Sequence, residues 1–119
     1  MMQIGDTFYW KDGGHLWVVI SDPECHDGEF IMVNLTKDLF RAGKECELNE
    51  GDHRWIKEKT YVSFGDAKKV GPKETVNLEK HIESGVIRTH YPMKEAVLKK
   101  IISAAKQSKA MPEGYIDFL

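Results

Sequence analysis

The chain has 119 residues, 41% of them hydrophobic, and a formal net charge of −2 at pH 7. This length and composition suffice for one core and exclude a disordered chain, and the nearly balanced charge argues against a generally basic nucleic-acid binder. We therefore expect a single domain over residues 1–119. Residues 1–72 would form its core, with 73–119 packed on it as helices and a tail.

The first half of the chain has the pattern of short strands separated by turns. The segments DTFYWK and HLWVVIS flank the turn DGG, which is a hairpin signal. The turn DPECHDGE then leads into FIMVNLT, and ECEL, TYVSF and AKKV supply three shorter candidates. Five or six strands of this kind favour a small closed antiparallel barrel.

The second half changes to a helical period. TVNLEKHIES predicts a helix that ends at Gly85 as its C-cap. From Pro92 a second helix is indicated, amphipathic and basic, which we expect to lie against the barrel. Its apolar stripe is Met93, Ala96, Val97, Ile101, Ala104 and Ala105. The expected fold class is thus mainly β with C-terminal α-helices.

Charge is distributed unevenly along the chain. Residues 1–52 hold eleven acidic and four basic side chains, whereas 53–109 hold six acidic and thirteen basic ones. Such an asymmetry is typical of an ordinary solvated surface, and in some proteins it marks a basic face that meets an anionic partner.

The sequence indicates a cytoplasmic protein without a membrane segment, because it has no apolar run of spanning length and no signal-like start. Its two cysteines are too few for a disulfide scaffold. A metal site at Cys25, His26, Cys46 and His53 is an alternative, although the spacing lacks any paired ligand motif.

Four segments occur in an order that resembles the PemK/MazF-like family of toxins from toxin–antitoxin modules. They are GDTFYW, HLWVVIS, VNLT and CELNEGDHRWIKEKTYVSFGDAKKV, and the resemblance covers roughly residues 4–71. It implies an SH3-like barrel, usually homodimeric. It also implies a metal-independent endoribonuclease, with no cofactor, that cuts single-stranded RNA and is held inactive by an antitoxin-like protein.

Two departures from the family pattern bear on activity. Thr36 in VNLT matches the family's catalytic Thr or Ser, but Leu16 stands where the family has a catalytic Arg in a His-Arg-Pro segment. The segment between the first two strands is only KDGG, where the family has a long loop. These departures favour an alternative function, a catalytically silent barrel that binds a protein partner in a toxin–antitoxin or defence operon.

The chemistry of RNA cleavage indicates which residues to expect at the site. Attack by the 2′-hydroxyl requires a base, an acid for the departing oxygen and fixed donors for the phosphate. Histidine titrates near neutrality, and the Gly51–Asp52 turn would offer His53 towards the same end of the barrel as His15 and Thr36. We expect these three as catalytic residues. The candidates to hold the phosphate are Lys11, Lys37 and Arg54.

Each of these residues also has a structural interpretation. His15 at a strand start can bond the backbone, His53 in a turn can bond a nearby carbonyl, and Thr36 suits a strand by propensity. Asp52 is expected to organise its turn and Trp55 to anchor that turn in the barrel. The remaining helical-region histidines, His81 and His90, are expected at the surface.

Overall fold

The computed structural model describes residues 2–119, which form one antiparallel sheet with helices packed on it. The strands are β1 (Thr7–Trp10), β2 (Leu16–Val19), β3 (Phe30–Thr36), β4 (Glu47–Leu48), β5 (Thr60–Val70) and β6 (Ile87–His90). The α-helices are α1 (Leu39–Ala42), α2 (Pro72–Ser84) and α3 (Glu95–Gln107), and 3-10 turns occupy Pro23–Cys25 and Tyr115–Phe118. The expected mainly β fold with C-terminal helices is confirmed.

The first two strands form the expected hairpin. Thr7 pairs with Val18 and Phe8 with Trp17. The turn needs backbone that only glycine adopts without strain, because Gly13 and Gly14 have φ angles of 102° and 115°. The DGG segment therefore fixes this turn locally.

Strand β5 runs through both of the segments that the sequence suggested as separate strands. Along β3 the register moves from Met32 opposite Lys68 to Asn34 opposite Ser63, so β5 carries extra residues at this point. Gly65 and Asp66 lie in that irregular stretch, which bends the strand without ending it. The expectation of two strands was wrong because a Gly-Asp pair suits a bulge as well as a turn.

Strand β6 was not expected from the sequence. It pairs with β1, with Thr7 opposite His90 and Trp10 opposite Ile87. The C-terminal part of the chain therefore contributes a strand as well as helices. Its two exposed residues, Arg88 and Thr89, leave little of the apolar alternation that marks a strand.

Both long helices are present with shifted starts. Helix α2 begins at Pro72 and ends at Ser84, and Gly85 follows as its C-cap in the left-handed conformation, as the pattern predicted. Helix α3 begins at Glu95 rather than at Pro92. Its stripe is largely confirmed, since Ile101 and Ala105 are fully buried while Ala96 is exposed.

The sheet buries a different apolar cluster on each face, because neighbouring side chains along a strand point to opposite sides. On one face, Val18 and Val33 belong to a cluster that includes Ile101 of α3. On the other, Val19 and Met32 belong to a cluster that includes Leu78 of α2. Each long helix thus covers one face.

The strand order is β4-β5-β3-β2-β1-β6, so the pairings within residues 2–119 describe an open sheet and not a closed barrel. The sheet is nevertheless strongly curved. Tyr9 of β1 contacts Trp55, in the loop after β4, with 4.8 Å between ring centroids. His53 in the same loop bonds the carbonyl oxygen of Tyr91, which follows β6. The two edges of the sheet are therefore joined through side chains.

No helix within residues 2–119 is both long and apolar enough to cross a membrane.

Candidate functional site

A cleft of about 590 Å³ opens where β2 begins, β3 ends and β5 begins. Two of the three expected catalytic residues, His15 and Thr36, line it together with Lys37. The antiparallel pairing of β2 with β3 brings His15 and Thr36 together, since Leu16 lies opposite Leu35. The wall also contains Asp38, Trp55 and Thr60.

The imidazole of His15 is held in one orientation by two hydrogen bonds. Its Nδ1 lies 3.0 Å from the carbonyl oxygen of Leu35, which can only accept. Its Nε2 lies 3.3 Å from Nη1 of Arg41, which can only donate. The arrangement therefore requires the proton on Nδ1 and a lone pair on Nε2. A half-buried imidazole with this tautomer presents a base at the cleft.

The hydroxyl of Thr36 is buried at the strand end, with 5% of the residue exposed. Its Oγ1 accepts a hydrogen bond from the backbone N–H of Asp38 at 3.1 Å. The carboxylate of Asp38 in turn accepts from the N–H groups of Phe40 and Arg41 and so caps α1. Lys37, between them, points to an exposed partner, Glu58, at 3.4 Å.

Arg41 is a residue that the sequence did not single out. Its Nε donates to Oδ2 of Asp66 at 2.8 Å, and Ser63 donates its hydroxyl to the same oxygen at 2.6 Å. The bonds from Ser63 and Arg41 lower the pKa of the Asp66 carboxyl, so that it remains charged. The guanidinium is thereby fixed beside His15. Ser63 is 1% exposed and supports this network.

The third expected catalytic residue, His53, does not line this cleft. It is 3% exposed, and both ring nitrogens bond the backbone. Nε2 lies 2.6 Å from the carbonyl oxygen of Tyr91, and Nδ1 accepts from the N–H of Trp55 at 3.0 Å. His53 belongs instead to the wall of a separate cavity of about 440 Å³ with Arg54 and Lys94. Its link to the cleft runs through Trp55.

The expectation for His90 was wrong, because this residue lies on β6 inside an aromatic cluster. Its ring centroid is 4.9 Å from that of His53 and 6.0 Å from that of Trp55. Burial lowers the pKa of His90, and electrostatic interactions with His53, Arg54 and Lys57 lower it further. His81 is exposed, as expected.

The three cations suggested as phosphate ligands lie in different places. Lys37 lines the cleft with His15. Arg54 stacks on the ring of Tyr91 at 4.2 Å and donates to its hydroxyl at 3.1 Å. Lys11 lies at the hairpin turn, where its backbone N–H bonds Val86. Only Lys37 of these three is brought to the cleft.

The alternative metal site is contradicted by the structure, because within residues 2–119 no group of three or more His, Cys, Asp or Glu could hold a metal ion. Cys25 is exposed and beside Asp22, whose charge raises the pKa of the thiol. Cys46 is buried in the core, and burial raises its pKa. His26 packs on the ring of Phe118. The four suggested ligands therefore lie in different environments and form no common site.

The turn around His53 agrees with the structural expectations for its neighbours. Asp52 accepts from the N–H of Asn49 at 2.7 Å, as expected for a turn-forming carboxylate. Trp55 is partly buried against the core and packs on Tyr9. The imidazole of His53 joins these features, since it accepts from the N–H of Trp55 itself.

Comparisons of this chain with protein-family models and with curated proteins find no match.

Proposed function

We propose that this protein is a PemK/MazF-like ribonuclease that binds single-stranded RNA in the cleft and cuts it without a metal. The observation that carries the proposal is the meeting of His15, Thr36 and Lys37 in one cleft. These residue types supply a base, a hydroxyl and a cation. Such groups suffice for attack of a 2′-hydroxyl on the adjacent phosphate.

In the proposed reaction, the Arg41 N–H gives up its bond to Nε2 of His15. Nε2 then takes the proton of the 2′-hydroxyl as that oxygen attacks phosphorus. The bond from phosphorus to the 5′-oxygen breaks, and the His15 imidazolium returns the proton to the departing oxygen. The products are a 2′,3′-cyclic phosphate and a 5′-hydroxyl, so protons and bonds balance. Lys37 and the Thr36 hydroxyl lie where they can stabilise the phosphorane charge. His53 takes no part, because backbone groups occupy both of its nitrogens.

The proposal extends to an SH3-like barrel, a cytoplasmic homodimer and an antitoxin-like inhibitor. The sequence resemblance supports all of these. The curvature of the sheet supports the barrel in particular, because the Tyr9–Trp55 and His53–Tyr91 contacts bring opposite edges together.

The test is incubation of purified protein with an end-labelled single-stranded RNA of mixed sequence in EDTA. We expect products that end in a 2′,3′-cyclic phosphate. We expect His15→Gln to lower the rate by about 100-fold or more. His81→Gln is the matched control, because His81 is exposed on α2 and away from the cleft. An absence of cleavage by the unmodified protein in every buffer, or equal rates for the two variants, would contradict the proposal.

A second candidate function, binding of a protein partner without catalysis, is favoured by Phe40. This side chain lies on α1 and is 99% exposed, so a partner that covered it would bury a large aromatic surface. The test is co-expression with the product of an adjacent small gene and measurement of complex formation. We expect Phe40→Ser to abolish the complex and Val76→Ser, a control at a half-exposed residue of α2, to preserve it. Equal complex formation by both variants would reject this function.

A further inference from the structure

We propose that Arg41, which lies next to the cleft in contact with His15, binds one phosphodiester of a single-stranded RNA with its unused guanidinium N–H groups. The inference rests on the proposed function, since it names a residue that holds the substrate at that site. Three features of the structure support it: the free donors of Arg41, the rigid anchoring of its side chain, and its contact with His15.

The guanidinium has donors to spare. Arginine carries five N–H groups in a fixed fork and no acceptor. Here Nε donates to Asp66 and Nη1 donates once to His15. One N–H on Nη1 and both on Nη2 have no hydrogen-bond partner within residues 2–119, and nearly half of the side chain is exposed, at 47%. An adjacent pair of nitrogens with free N–H groups matches two oxygens of a phosphate.

The guanidinium is also held in place before any ligand arrives. Oδ2 of Asp66 receives both the Arg41 Nε–H and the hydroxyl of Ser63, and Ser63 is 1% exposed within β5. A side chain fixed by a buried support loses less rotamer freedom on binding than a free surface arginine. Arg54, one of the cations expected from the sequence, is instead held against Tyr91 on the wall of another cavity.

The contact with His15 places the fork next to the base of the proposed reaction. Nη1 lies 3.3 Å from Nε2 of His15 and donates to it, so a phosphate bound by Arg41 lies next to His15, whose Nε2 becomes available when that bond is released. Lys37 lines the same cleft and offers a second cation to the same strand. A carboxylate ligand would use the fork equally well but would offer no hydroxyl for His15 to deprotonate. The chemistry of the pair therefore favours a ribose phosphodiester.

The experiment measures binding separately from cleavage. The probe is a fluorescein-labelled 2′-O-methyl RNA of about ten nucleotides, which binds but cannot be cut because its 2′-oxygens carry no proton. Fluorescence anisotropy gives the affinity at several salt concentrations. We expect Arg41→Met to weaken binding about tenfold, as for loss of a charge-assisted hydrogen bond. We expect the salt slope to fall by about 0.7, as for one lost phosphate contact on a single strand.

Arg88→Met is the matched control. It removes the same charge from an exposed arginine on β6, and we expect less than a twofold change in affinity and an unchanged salt slope. Arg41→Lys keeps the charge but not the fork, and we expect it to recover little of the lost affinity. Thermal melts of each variant establish that it is folded.

Asp66→Asn distinguishes two effects on RNA binding: the orientation of the Arg41 guanidinium and the overall attraction of a positive charge for an anionic strand. This change raises the net charge by one, so attraction alone predicts tighter binding of an anionic strand. Anchoring predicts weaker binding, because Arg41 loses the carboxylate that orients it. Asp12→Asn, at the exposed hairpin turn, gives the charge effect without the anchoring effect.

Competition with different unlabelled ligands identifies which kind of phosphate is recognised. Competition by unlabelled 2′-O-methyl RNA, with no effect of inorganic phosphate at the same phosphate concentration, supports the inference. Displacement by inorganic phosphate alone, no binding of any probe, or equal affinities of Arg41→Met and Arg88→Met would overturn it. The outcomes remain separable from cleavage. Arg41-dependent binding without RNA cleavage retains the inference and rejects the ribonuclease, and cleavage without Arg41-dependent binding does the reverse.

Discussion

His15 and His53 both stand beside glycine-containing turns, yet they occupy opposite kinds of surroundings. His15 is half-buried at a cleft and has one nitrogen on a backbone carbonyl and the other on a guanidinium. His53 is buried and has both nitrogens on backbone groups. The difference teaches that an imidazole is available for chemistry only where one nitrogen is left to a side chain or to solvent. His15 meets this condition and His53 does not.

The largest expected difference between His15 and His53 is in their contributions to the free energy of unfolding. His53→Ala removes the acceptor for the Trp55 N–H and leaves that donor buried without its partner, so we expect a loss of about 3 kcal/mol in the free energy of unfolding. His15→Ala, at a half-exposed site, should cost less than about 1 kcal/mol. Urea denaturation measures both. Equal losses of stability for the two variants would contradict the difference described between His15 and His53.

A second effect is the pH dependence of stability near neutrality. The pKa of His90 is lowered below its ordinary value of 6.5, so the unfolded chain binds this proton more readily than the folded one. Stability should therefore be fully present above about pH 6.5 and should fall as the pH drops from there through the lowered folded-state pKa. Denaturation midpoints between pH 8 and pH 5 measure this trend. His90→Gln should flatten it and His81→Gln should leave it intact; a trend insensitive to His90→Gln would place its origin elsewhere.

A smaller effect is expected on the cleft side at acid pH. The pKa of Asp66 is lowered from its ordinary value of 3.8 by Ser63 and Arg41. Its contribution to stability is present above that value and is lost as the pH falls through the lowered folded-state pKa. Asp66→Asn should remove this part of the acid dependence, which denaturation at pH 2–5 detects. Identical acid profiles for the variant and the unmodified protein would show that the network is not maintained in solution.

The smallest effect is expected at the rim of the cleft. Lys37 and Glu58 form an ion pair at 3.4 Å with side chains 65% and 64% exposed. An exposed pair of this kind contributes little, so Glu58→Gln should change the free energy of unfolding by less than about 0.5 kcal/mol. Urea denaturation is again the measurement. A larger loss would mean that Lys37 is held more rigidly than its exposure indicates.

The parts of the fold that sequence predicted are those with local signals. The DGG turn fixed the hairpin of β1 and β2, and Gly85 marked the end of α2. Strand β6 was not predicted because it is short and exposes Arg88 and Thr89, so that only its pairing with β1 identifies it. The sequence predicted a closed barrel, whereas the strand pairings within residues 2–119 describe an open sheet; strand order is a long-range property that no local pattern specifies.

The candidate site was predicted in part for the same reason. His15 and Thr36 lie on adjacent strands, so strand order alone brings them together. The position of the Arg41 guanidinium depends on its bonds to Asp66, 25 residues later, and to His15, 26 residues earlier. The sequence predicted His53 in the cleft but could not show where its ring lies. The direction of a turn side chain depends on the groups that it bonds. Those groups include the carbonyl oxygen of Tyr91, 38 residues away.

The carbonyl oxygen of Tyr91 has a consequence for folding kinetics. It accepts from the Thr7 hydroxyl and from His53, which stand 84 and 38 residues away in the chain. Bonds across such separations require the closure of long loops, so we expect this junction to form after the neighbouring local hairpins. An interaction formed late strengthens the barrier to unfolding more than it accelerates folding. We therefore expect loss of the His53 ring to speed unfolding more than it slows folding.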